Sequence, residues 1–140
     1  MSAAAGGAWP RELPVAHVRV ARPSTSLVAA SRFYGEIVGL PIVTTFEDHA
    51  GYSGVVFGLP DERMQLELTE RDDGLAPAPT AEDLLVLYLS DDAAVDERVA
   101  RLASFGHRPV PPENPYWTTV VRGFTFVDPD GFRLVLLTRA

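Results

Sequence analysis

The side chains able to do chemistry are few. The chain holds three histidines and no cysteine, so disulfides, thiolate metal sites and cysteine nucleophiles are excluded. Two groups stand out: His17, in Val15-Ala-His-Val-Arg-Val-Ala21, and Glu67, in Met64-Gln-Leu-Glu-Leu-Thr69. Imidazole and carboxylate both ligate Zn, Ni, Fe or Mn, and each can carry a proton when its surroundings tune it. Gln65, Glu67 and Thr69 alternate with Leu66 and Leu68, which puts three polar groups on one strand face. A carboxylate on a face that lines a hollow is partly desolvated. It must be paired, change its pKa or meet a cation. His17 and Arg19 share a face of their own strand and are the candidate partners. Glu67 is then either half of a structural ion pair or a ligand anchor and general base.

Aromatic residues supply the other candidate contacts. Asn114-Pro115 leads straight into Tyr116-Trp117, which begin a strand on this reading, so their rings point opposite ways. In one account Trp117 caps the core and Tyr116 lies on the surface. In the other they form a shelf for a flat or cationic ligand, worth roughly 0.5–2 kcal/mol per contact. Tyr52, Phe57 and Tyr88 would extend that shelf. Arg133 shares a strand face with Val135, and it either enters the hollow or pairs with Asp130. Asp128 and Asp130 look like a catalytic carboxylate pair, but they occupy turn positions where their oxygens bond backbone amides.

A repeated pattern must position these residues. Phe124 to Leu137 is two β-rich runs around Asp128-Pro-Asp-Gly131. Pro fixes φ, Gly takes the left-handed position, and the runs pair as a hairpin. A weaker copy, Val55 to Leu68, turns at Pro60-Asp61. Ahead of it come a strand over 15–21 and a helix over 27–38, capped by Ser24 or Ser26 and ended by Gly39. Strands over 41–46, 52–57 and 64–69 complete the first unit. After a Pro- and Asp-rich linker, the apolar run Leu84–Leu89 reads as a central strand covered on both faces. A helix follows, capped by Asp91 or Asp92, lined inside by Val95, Val99, Leu102 and Phe105, and stopped by Gly106. A short strand over 107–110 and another from Tyr116 to Val121 lead into the hairpin. Gly39 and Gly106 lie 67 positions apart, as do Leu27 and Ala94, and His17 and Leu84; Glu67 and Val135 lie 68 apart. The spacing predicts an α+β chain of two tandem βαβββ modules, 15–70 and 83–140. A flexible arm (1–14) precedes them and a linker (71–82) joins them.

Bulk composition narrows the partners. The 140 residues are 46% hydrophobic and carry a net charge of −7, which fits one globular unit. That charge disfavours nucleic acid or an anionic membrane as partner and suits a neutral or cationic small molecule. Residues 1–10 lack a basic start and a long apolar run, and no stretch approaches a membrane span, so the expectation is a cytoplasmic protein.

Three segments point to a family. Arg32-Phe-Tyr-Gly-Glu-Ile-Val-Gly-Leu40, Leu66-Glu-Leu-Thr69 and Asp128-Pro-Asp-Gly-Phe-Arg-Leu134 resemble the vicinal oxygen chelate (VOC) superfamily, which includes glyoxalase I, bleomycin-resistance proteins and extradiol dioxygenases. The resemblance covers nearly all of the chain after residue 14. Val18-Arg-Val-Ala-Arg-Pro23 and Glu113-Asn-Pro-Tyr-Trp117 are similar to a bacterial subgroup of uncharacterised members. It implies a cupped, mostly antiparallel sheet with the ligand between the modules, and homodimers whose cups are sometimes completed across subunits. It also implies four metal-ligand positions: His17, Glu67, Leu84 and Val135. The two aliphatic ones offer no lone pair, and a catalytic ion normally takes three protein ligands. The expectation is therefore a homodimeric protein that binds a small organic molecule without a metal cofactor. The alternative is a lyase, isomerase or ring-cleaving oxygenase with one divalent ion on His17 and Glu67.

Overall fold

The computed structural model describes residues 7–138; the first six residues of the expected arm and the last two of the second module lie outside the described residues. The elements are β1 (Val18–Pro23), α1 (Leu27–Ser31), which runs on as a π-helical turn (Arg32–Val38), β2 (Ile42–His49), β3 (Tyr52–Gly58), β4 (Met64–Arg71), β5 (Leu84–Leu89), α2 (Asp92–Ser104), α3 (Tyr116–Thr119), β6 (Phe124–Val127) and β7 (Arg133–Thr138). One sheet has the order β1-β4-β3-β2 and the other β5-β7-β6. β1–β4 and β5–β7 pair in parallel, the rest antiparallel. The α+β, two-module architecture is the one expected.

Local chemistry accounts for the helix ends. The Ser26 hydroxyl accepts from the Ala29 amide at 3.2 Å, and the Asp91 carboxylate from the Ala94 amide at 2.7 Å, each satisfying a first-turn donor. Gly39 closes the first helix at φ 100°, a conformation that L side chains resist.

Three expectations need correction. The run 107–110 is reduced to a single bridge, Val110 to Thr125. Tyr116 to Val121 is no strand. The Asn114 side chain accepts from the Tyr116 amide at 3.0 Å, the Pro115 carbonyl accepts from the Thr119 amide at 2.8 Å, and the segment winds into α3. The Asn-Pro turn overrides the β preference of the aromatic and β-branched residues after it. Finally, β5 is an edge strand, with Tyr88 57% exposed. Its apolar run is explained on one side by Leu85, Leu87 and Leu89, which pack on the core.

The placement of the helices decides everything downstream. One core joins Phe33, Tyr34 and Ile37 of the first helix, Leu102 of α2, Phe57, Leu66 and Leu68 of the first sheet, and Phe126, Leu134 and Leu136 of the second. Both helices therefore lie between the two sheets. Polar contacts reinforce the junction. Arg101 donates to the carbonyls of Ile37 (3.1 Å) and Glu36 (2.7 Å). The Asp130 carboxylate accepts from the Thr25 amide and hydroxyl, both at 2.8 Å, so its partner is in the other module and not Arg133. The Arg22 guanidinium stands 4.5 Å from the centre of the Phe132 ring. The Tyr34 hydroxyl donates to Asp128 Oδ2 at 2.5 Å, while Asp128 Oδ1 accepts from the amides of Asp130 (2.8 Å) and Phe132 (3.0 Å). Asp128 thus holds its own turn, as expected, and clamps the modules as well. Burial, followed by the Asp128 charge, pushes the Tyr34 phenol above its ordinary range.

Replacing Tyr34 with Phe leaves Asp128 buried without its phenolic donor. The expected loss is about 1.5–3 kcal/mol, read as a lower urea midpoint at unchanged slope. Burial raises the Asp128 pKa above 3.8, so the folded state holds this proton more tightly than the unfolded one. The stability difference between the parent and Asp128→Asn should therefore move in the parent's favour as pH falls from neutrality towards the ordinary carboxylate range. A flat difference in urea titrations would refute the buried-carboxylate account.

Candidate functional site

The outward face of the first sheet carries a polar cluster. Register puts Arg19 beside Gln65 and Ala21 beside Glu67, with Val56 across from Glu67. Residues paired in register share a face, so Leu66 and Leu68 turn inward to the helices and Gln65, Glu67 and Thr69 turn outward. Arg19 bridges the cluster: its Nε donates to Gln65 Oε1 and a terminal nitrogen to Glu67 Oε1, both at 2.9 Å. Gln65 is buried, and the Glu67 side chain is only 16% exposed against 43% for Arg19. A half-desolvated carboxylate has thus found its cation, and the partner is Arg19.

His17 does not join it. β1 begins at Val18, whose amide donates to the Arg63 carbonyl at 2.7 Å. His17 is exposed, and it lies four residues before Ala21, the neighbour of Glu67; at ~3.3 Å per strand residue that is about 13 Å. Of the two candidate partners the register brings Arg19, and not His17, to Glu67. A divalent ion does not fit the set. Glu67 already holds a guanidinium, Leu84 and Val135 have no donor atoms, and no group of three His, Asp or Glu that could hold a metal exists among the described residues.

The outward face of the second sheet is built of Leu84, Val86 and Tyr88 on β5, Arg133, Val135 and Leu137 on β7, and Thr125 and Val127 on β6. Part of it is roofed by α3 and the loop before it. Trp117 lines a small cavity with Leu84, Thr125 and Arg133. The Gly123 amide donates to the Trp117 carbonyl at 2.7 Å, and a Cβ at Gly123 would stand 2.6 Å from that oxygen and 3.4 Å from Val135. Val135 is accordingly fully buried, so it packs beneath this roof and is no open wall. Arg133 donates to the Pro111 carbonyl at 3.2 Å, which fastens the loop to the sheet.

The expected aromatic shelf is dispersed. Tyr116 and Trp117 sit on one helical turn with their rings edge-to-face at 5.1 Å, Tyr116 exposed and Trp117 half-buried. Phe57 is wholly buried on the helix side of β3, against Tyr34, and cannot reach a ligand on the outer face. Tyr52 is outward at the start of β3, paired with Arg71, whose guanidinium stands 5.8 Å from its ring. Tyr88 borders a groove of about 660 Å³ between the free edge of β5 and the Leu59–Met64 turn. That volume suits a small-molecule pocket, yet the groove does not include Arg19 or Glu67. Sequence reading missed the groove residues Leu59 and Met64, and Thr125. The signal for Thr125 was a lone hydroxyl between Phe124 and Phe126.

The fold has close counterparts. Residues 18–69 match the YycE-like N-terminal domain and residues 82–138 the YycE-like C-terminal domain. An uncharacterised Bacillus subtilis protein, YycE, is 39% identical over 123 residues, 87% of each chain. A crystal structure of B. subtilis YycE superimposes with a TM-score of 0.86 at 37% identity, covering 93% of this chain and 94% of that one; it is described as of unknown function and is grouped with glyoxalase/fosfomycin resistance proteins. Leishmania major glyoxalase I (TM-score 0.66, 20% identity, 86% and 84% coverage) and the fosfomycin resistance protein FosX of Mesorhizobium loti (0.64, 18%, 89% and 90%) share the fold. This chain belongs to the YycE-like family and has the glyoxalase/VOC fold.

Proposed function

We propose that this protein binds a small organic molecule, without a metal, in a cup that two copies of the chain close together. Arg19, Gln65 and Glu67 of one copy form the polar wall; Val86, Tyr88 and Tyr116 of the other form the apolar wall. The observation that carries this reading is the position of both helices between the sheets. In a chain built this way the polar face of the first sheet and the outer face of the second point in opposite directions, so one chain holds two half-cups and no whole one.

The strand edges support a second copy as the missing partner. β1 and β5 each pair on one side only. Val18 and Val20 on β1 are exposed, as are Tyr88 on β5 and Met64 at the mouth of the groove beside it. Unpaired edges bearing apolar side chains are what a monomer avoids, and the β1 edge of one copy against the β5 edge of another covers both. A ligand in the resulting cup is mostly apolar, with one end that bonds Arg19 or Glu67, and the net charge of −7 favours a neutral or cationic one. Sequestration and a tailoring step in which Glu67 moves a proton both fit this site. The metal-dependent alternative on His17 and Glu67 has no observation in its favour.

Light scattering at micromolar concentration should give twice the chain mass, and Val20→Lys should halve it while leaving the far-ultraviolet circular dichroism intact. In a thermal-shift screen of neutral and cationic aromatic compounds, hits should raise the parent's melting temperature and lose that effect in Arg19→Ala and in Val20→Lys. A monomeric parent, or one metal ion per chain retained after dialysis, would sink the proposal.

A further inference from the structure

An aromatic ring lies on the outward face of the first sheet, beside the polar cluster. Phe46 on β2 pairs with Gly54 on β3, and Gly54 pairs with Thr69 on β4. Val55 and Phe57 turn inward to the helices, so Gly54 and Val56 share the outward side with Thr69 and Glu67. A Cβ at Gly54 would stand 2.6 Å from Cε1 of Phe46. The ring therefore takes the place of the missing side chain and lies across the strand, a close approach that glycine allows. Val56 next to it is 1% exposed although the helices pack on the other side of the sheet, while Phe46 itself is half-buried. The ring shields the strand and keeps part of its own surface free.

The polar cluster offers a donor and an acceptor side by side. Arg19 spends Nε on Gln65 and Nη1 on Glu67 Oε1, which leaves Nη2 to donate. Glu67 Oε2 has no partner among the described residues and is not one of the buried polar atoms that lack one, so it meets solvent. The pair is neutral as a whole and selects a neutral group whose own acceptor and donor are neighbours. From the ring over Gly54 to Glu67 is one strand across and two residues along, about 8 Å. We propose that the ligand of the two-chain cup is a fused aromatic lactam. Its ring system stacks on Phe46, its carbonyl oxygen accepts from Arg19 Nη2, and its N–H donates to Glu67 Oε2. The inference rests on the two-chain reading and adds to it the chemical class of the ligand and a contact residue, Phe46.

The probe is 2-quinolone, a two-ring lactam, titrated into ¹⁵N-labelled protein. The backbone amide signals of residues 65–69 should shift saturably. Two analogues, 1-methyl-2-quinolone, which has no N–H, and 2-piperidone, which has the lactam edge and no aromatic ring, should each bind at least tenfold more weakly. Phe46→Leu should weaken 2-quinolone about fivefold and leave 2-piperidone unchanged. Phe46→Tyr, which keeps the ring, should bind 2-quinolone like the parent, and the amide spectrum reports that each variant is folded. The proposal is overturned if 2-quinolone leaves those signals unmoved, if the methylated analogue binds as tightly, or if Phe46→Leu binds 2-quinolone like the parent. Light scattering on the same samples judges the cup separately. With a dimeric parent these failures sink the lactam and leave the cup; a monomeric parent sinks the cup and the lactam site with it.

Discussion

The buried contact between Tyr34 and Asp128 is the constraint on which the rest of the structure turns. It joins the helix of the first module to the hairpin turn of the second at 2.5 Å. The same carboxylate also holds two amides of its own turn. A desolvated carboxylate is tolerated only when its lone pairs are met, and these three donors meet them. The bond therefore makes sense only with the helices inside, packed against both sheets. Phe33, Tyr34 and Ile37 can then share a core with Leu102, Phe126 and Leu134.

The helices' position fixes which surfaces are left for function. The inward faces of the sheets are consumed by packing, so anything the protein binds must meet the outward faces or the strand edges. On the first sheet the outward face carries a guanidinium and a carboxylate already bonded to each other, which makes the cluster neutral overall and able to offer donors and acceptors together. A divalent ion would have to displace that guanidinium and would gain no ligand from Leu84 or Val135. In the second module a helical turn lies over the sheet and buries Val135. This chain shares the fold of glyoxalase I and FosX at about a fifth sequence identity. The likeness is one of backbone, and the site has to be argued from its own residues.

Much of the fold is legible in the linear chain. The two hairpin turns, Ser26 and Asp91 at the helix starts, Gly39 and Gly106 at the helix ends and the 67-residue repeat all rest on local backbone chemistry, which a linear reading can follow. Strand alternation also found the Gln65–Glu67–Thr69 face, because side chains on a strand change sides at every residue. At Asn114-Pro115 a short-range turn competes with β propensity and wins, so the residues after it form α3 and no strand. At Leu84–Leu89 hydrophobicity alone does not tell a covered strand from an edge, and the strand lies at the edge.

Local chemistry along the chain sets the kind and order of elements, the faces of the strands and the identities of the polar residues on them. That Arg19, and not His17, reaches Glu67 depends on the parallel register of β1 against β4, a non-local pairing with no local signature. Folding likewise places Phe57 in the core and brings Thr125 and Trp117 to one cavity. Those relations join residues far apart in the chain, and the packing of two sheets on a shared helical layer brings them together.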